Sequence, residues 1–145
     1  MLKHTASKNS IFQQRNKSEF LSQMISLSEK GIEYVGTINR KGRLEEIFCK
    51  QNDIDMTDER KEMFFMTLQL HKSMNSDFDD EFGRVDHILV ERQNSRFVLI
   101  YIDEEIILIK LNKMVNPMFI LNKIPKILSS YKKFQEYDGV NLEYL

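Results

Sequence analysis

Residues 84–111 read RVDHILVERQNSRFVLIYIDEEIILIKL, and this stretch decides the fold. It divides into three strand-forming runs, Arg84–Arg92, Arg96–Ile102 and Glu105–Leu111. Gln93-Asn94-Ser95 turns the first corner and Asp103-Glu104 the second, both short enough for hairpins. Val98-Leu99-Ile100-Tyr101 and Ile106 through Ile109 are apolar at every position rather than at every other one. A strand with one wet face alternates; a strand with none does not, so this meander is expected to be covered on both faces. The run Arg84–Arg92 comes first in the meander and is expected at a sheet edge. Its Val85, Ile88, Leu89 and Val90 offer little charge to keep another edge away.

Upstream lies a long helix, expected from Asp58 to Ser76 behind a capping loop that ends at Thr57. At about 100° per residue its apolar side chains separate into two groups. Met56, Met63, Met66, Leu70 and Met74 make a stripe along its length, and Phe64, Phe65 and Leu68 make a shorter patch. The long stripe is expected to dock on the chain's own sheet, which would leave the Phe64, Phe65 and Leu68 patch for a partner. Before this helix, Ile32–Ile38 and Arg43–Cys49 read as a hairpin closed by Asn39-Arg40-Lys41-Gly42. A first helix is expected from Ser18 to a Lys30-Gly31 stop, preceded by a basic tail over 1–17. Downstream of the long helix, Asp77–Gly83 is an acidic connector. After the meander, Asn116-Pro117 opens a last helix with Met118, Leu121, Ile124, Ile127 and Leu128 on its apolar face, interrupted by Pro125.

The sum is an α+β sandwich: a five-stranded antiparallel sheet with helices on both faces, in the order α-β-β-α-β-β-β-α. The domain is expected over residues 18–131, with tails over 1–17 and 132–145. This order, and the stretch Gly31-Ile32-Glu33-Tyr34-Val35-Gly36-Thr37-Ile38-Asn39-Arg40-Lys41-Gly42, resembles the roadblock (dynein light chain 7) family of the profilin-like superfamily. The block Leu68-Gln69 through Ser73-Met74, with Asp77-Phe78-Asp79-Asp80 and Gly83-Arg84-Val85, is also similar to an uncharacterised archaeal family. The roadblock resemblance implies homodimers made through the third strand and second helix, and service as platforms or regulators of small GTPases.

Composition narrows the alternatives. With 41% hydrophobic and 30% charged residues the chain can bury a core, and a net charge of -1 supplies no field that would gather nucleic acid. One cysteine, Cys49, excludes an intramolecular disulfide and points to a reducing, cytoplasmic setting. Lys110, Lys113, Lys123, Lys126, Lys132 and Lys133 run without an intervening acid, so weak binding to nucleic acid or an anionic surface is an alternative, with a solvated face the simpler reading. Asp77, Asp79, Asp80 and Glu81 lack the spacing of a calcium loop, and His4, His71 and His87 lack that of a zinc site; no metal or cofactor is expected. No phosphate-cradling glycine loop and no nucleophile elbow is present, so no enzyme is expected.

The expected function is therefore a homodimeric protein-interaction or scaffolding module whose second partner is a protein, such as a small GTPase. Phe64, Phe65, Leu68, Val85, Ile88, Leu89 and Val90 are the expected dimer interface. The alternative from another class is a small-molecule sensor. It would need a cavity between sheet and helix into which polar groups such as Tyr101 and His87 converge.

Overall fold

The structure, a computed structural model, describes residues 22, 23, 26, 30–49 and 56–132. The expected tail over 1–17, the Ser18 cap with most of the first helix, the loop residues 53–55 and the stretch 133–145 lie outside the described residues. Two compact units divide the chain: Ser28–Asn116, and Met1–Leu27 together with Pro117–Leu145.

The unit Ser28–Asn116 holds the whole sheet. Its elements are β1 (Ile32–Ile38), β2 (Leu44–Cys49), α1 (Asp58–Ser76), the single turn α2 (Asp79–Phe82), β3 (His87–Glu91), β4 (Arg96–Ile102) and β5 (Glu105–Leu111). The strands lie in the order β2-β1-β5-β4-β3, and every neighbouring pair is antiparallel. The five strands, the meander and the edge position of β3 agree with the expectation from sequence. β3 begins at His87 rather than Arg84, so Val85 stands in the approach to the strand. Both sheet faces are buried: Tyr34, Ile38, Phe97, Leu99, Ile106 and Leu108 on one, Val35, Val98, Ile100, Ile107 and Ile109 on the other. The unbroken apolar runs of β4 and β5 have this cause.

α1 starts where its cap dictates: Thr57 is extended, and its hydroxyl accepts from the backbone N–H of Arg60 at 3.3 Å. The expected assignment of the two apolar groups on this helix is reversed. Phe65 and Leu68 are buried, 4% and 8% exposed, against Tyr34, Ile38, Phe97, Leu99, Ile106 and Leu108. Phe64 packs beside them, its ring 5.8 Å from that of Phe97. Met63, Met66, Leu70 and Met74 are 55–59% exposed. The physical reason is reach. Strands of seven residues offer the helix only a short seat, and bulky side chains at 64, 65 and 68 cover that seat with more area than a thin stripe along the whole helix would.

Polar side chains of α1 fix its position over the sheet. Gln69 Nε2 donates to the carbonyls of Ile38, Asn39 and Glu104 at 3.2, 2.7 and 3.2 Å, and so ties the helix to the β1–β2 and β4–β5 turns together. The Lys72 ammonium donates to the Asp103 carbonyl and lies 5.6 Å from the Tyr101 ring.

In the other unit, α3 spans Met118–Leu121 and helical backbone resumes over residues 124–132. Pro125 therefore sits in a first turn, where its missing N–H breaks no helical bond. Ile120, Ile124, Ile127 and Tyr131 are buried, whereas Met118 is 52% exposed and leaves the expected apolar face.

Candidate interaction surface

β3 ends the sheet, and its ladder shows which groups remain free. Tyr101 N–H donates to Asp86 C=O at 3.0 Å and Arg92 N–H to Ser95 C=O at 2.8 Å. In an antiparallel pair the bonded residues recur at every second position. Asp86, Ile88, Val90 and Arg92 thus spend their backbone groups on β4, while His87, Leu89 and Glu91 turn theirs to the open edge. Side chains alternate with the same period. Ile88 and Val90 pack half-buried on the α1 side, and His87, Leu89 and Glu91 stand exposed.

Of the expected interface residues, Leu89 is the most accessible, at 36%. Val85, Ile88, Val90 and Phe64 are half-buried. Phe65 and Leu68 belong to the core of their own unit, so neither is a surface contact. What the sequence reading missed is the opposite face of α1, where Met63, Met66, Leu70 and Met74 form an exposed apolar stripe. Their regular spacing carries the signal, but spacing alone does not tell a core stripe from an exposed one.

A trough runs between α1 and strands β3 and β4, with a volume of about 370 Å³. Ile88, Val90 and Leu99 form its floor, and Phe64, Leu68 and His71 its helical wall. At one end Tyr101 accepts from Asn75 Nδ2 at 3.3 Å, and burial pushes the Tyr101 hydroxyl above its ordinary pKa. His87, the other polar group expected in such a cavity, does not line it. At the other end the trough meets a second hollow of about 480 Å³, with which it shares Phe64, Thr67, Arg92 and Phe97. Arg60 and Lys110 join Arg92 there.

Some nearby charge is matched. Arg96 forks onto Glu91, with Nη2 to Oε2 at 3.2 Å, and Lys113 approaches the same carboxylate at 3.7 Å. The Arg96 hydrogen bond above all holds the Glu91 carboxyl below its ordinary pKa; desolvation comes next and opposes it, and the charges of Arg96 and Lys113 add to the lowering. Lys110 pairs with Glu33 at 3.5 Å. Among the described residues Lys110 and Lys113 thus have acidic partners, which weakens the case for a continuous basic face. Asp79, Asp80 and Glu81 fall in α2, and among the described residues no three ligating side chains converge as a metal site. His71 and His87 are both exposed, one on α1 and one on β3; His4 lies outside the described residues. Among the described residues no helix is long and apolar enough to cross a membrane.

No family model matches the chain, and no curated protein matches its sequence. Solved structures do match its fold. A roadblock/LC7 domain from Streptomyces avermitilis aligns with a TM-score of 0.54 at 7% identity, over 73% of this chain and 87% of that one. Myxococcus xanthus MglB aligns with a TM-score of 0.63 at 9% identity, over 84% and 89%. An MglB with a tetrameric arrangement aligns with a TM-score of 0.57 at 14% identity, over 86% and 92%. At such identities the likeness is one of fold, and the fold is roadblock-like.

Proposed function

We propose that the chain is a non-catalytic, homodimeric interaction module of the cytoplasm, in which two copies join at their β3 edges and present their α1 helices to a protein partner. The observation that carries this reading is the open edge of β3 beside an α1 whose Met63, Met66, Leu70 and Met74 are more than half exposed. A monomer seldom leaves such a patch in water. An antiparallel join centred on Leu89 sets Leu89 against its own copy. It also sets His87 of each chain opposite Glu91 of the other, an apolar centre flanked by groups of complementary character. Such a pairing, with the flanking helices, is expected to bury about 1,200–2,000 Å² in total.

The roadblock-like fold supports the reading, as does the tetrameric arrangement of one MglB of that fold. A small GTPase is the partner class that the roadblock resemblance implies. The methionine-rich stripe suits such docking, because unbranched thioether side chains adapt to a partner's relief.

Leu89→Pro tests the edge. Its backbone N–H points away from β4, so proline there spares the internal ladder and blocks only a pairing at the open side. Light scattering at tens of micromolar should read a dimer for the wild type and a monomer for Leu89→Pro, with unchanged circular dichroism. A wild-type monomer, or a Leu89→Pro dimer, would refute the β3 join.

A further inference from the structure

Alternation along β3 has a second effect at its end. Ile88, Val90 and Arg92 share the α1 side of the strand, so the apolar floor of the trough runs directly onto a guanidinium. Arg60, eight positions before Leu68 on α1, reaches the same end from the helix; Lys110 of β5 also lies there, its charge already matched by Glu33. Glu91, the acid next to Arg92 in sequence, is taken up by Arg96 and Lys113. Among the described residues no carboxylate forms an ion pair with Arg60 or Arg92. The lining is thus apolar along most of its length and cationic at one end, with a volume in the range of small-molecule sites, about 300–1,000 Å³.

We infer that this trough binds a free amphiphile with a single anionic head and an unbranched apolar tail. The tail lies over Ile88, Val90 and Leu99 against Leu68 and Phe64. The head sits at Arg92 and Arg60, where charge-assisted hydrogen bonds are available and the fork of a guanidinium matches a carboxylate. Charge complementarity selects the anion, and the length of apolar floor selects the tail. The trough lies within one chain, so this inference does not depend on the dimer.

The test is calorimetric titration with dodecanoate, held below the concentration at which it forms micelles, with decanoate and dodecanol as comparisons. One molecule per chain should bind saturably. Affinity should fall about four-fold for each methylene removed, the worth of a buried methylene. Dodecanol should bind about ten-fold more weakly than dodecanoate, and Arg92→Gln should lower dodecanoate affinity about ten-fold while leaving dodecanol unaffected. Arg92→Lys should recover part of the loss. Equal binding of acid and alcohol, indifference to Arg92→Gln, or a signal only with anionic vesicles would overturn the assignment. Light scattering on the same samples reads the oligomeric state separately, so failure of the ligand site and failure of the dimer are told apart.

Discussion

Gly42 lies beneath Met66. A Cβ at position 42 would stand 2.3 Å from the Met66 sulfur and 3.3 Å from the Met66 Cα, and the glycine holds φ at +77°. The tip of the β1–β2 hairpin is therefore fitted to the outer flank of α1. Gly42→Ala is expected to cost about 1–3 kcal/mol, combining left-handed backbone strain with the clash. Urea unfolding of the single variant and of Gly42→Ala with Met66→Ala separates the two. The double variant should be relieved of the clash and keep about 1 kcal/mol of strain.

Gln69 is a single amide shared by two turns. Gln69→Ala removes donors to Ile38, Asn39 and Glu104 and should lower stability by about 1–3 kcal/mol. The backbone amides of Asn39–Gly42 and of Asp103–Glu104 should both exchange faster with solvent, although the two turns are far apart in sequence. Faster exchange at one turn alone would contradict a shared tie.

The two faces of α1 should respond oppositely to substitution. Phe65→Ala opens a cavity in the core and is expected to cost about 3–5 kcal/mol. Leu70→Glu, on the exposed face, should stay within about 0.5 kcal/mol of the wild type in unfolding and yet weaken capture of a protein partner. Strong destabilisation by Leu70→Glu would place the stripe in the core.

Acid should act through Glu91. Its carboxyl titrates below the ordinary value of 4.5 in the folded chain, so the ionised form is favoured by folding. That contribution is present above about pH 4.5 and is lost as pH falls through the lowered value. Glu91→Gln should be less stable than the wild type at pH 7 and should lose less on acidification, read as two melting curves that approach one another toward low pH.

The sheet was legible because its signal is redundant. Val98–Tyr101 and Ile106–Ile109 are apolar without a gap, Asp103-Glu104 leaves room only for a tight turn, and Asp103 accepts the positive φ of 49° that this turn needs. The start of α1 was legible through Thr57 for the same local reason. The face of α1 was not. Counting apolar residues weighs Met63 and Phe64 alike, whereas the fold weighs them by distance from Phe97 and Leu99, which depends on where the helix crosses. Arg92 was hidden likewise: its place at the end of the trough follows from the parity of β3, and parity appears only once Tyr101 is seen to bond Asp86.

β1 and β5 are neighbours at the centre of the sheet, with Val35 opposite Ile109 although about half the chain separates them. A chain emerging from the ribosome therefore carries β1 and its hairpin mate β2 from Cys49 until Leu111 has been made, with no strand to complete them. The sheet cannot close until β5 has been made. Assembly of this kind is slow, since the long loop must be closed before the central ladder rewards it. Until then β1, buried in the finished molecule at every position but Glu33, is an open invitation to other nascent copies.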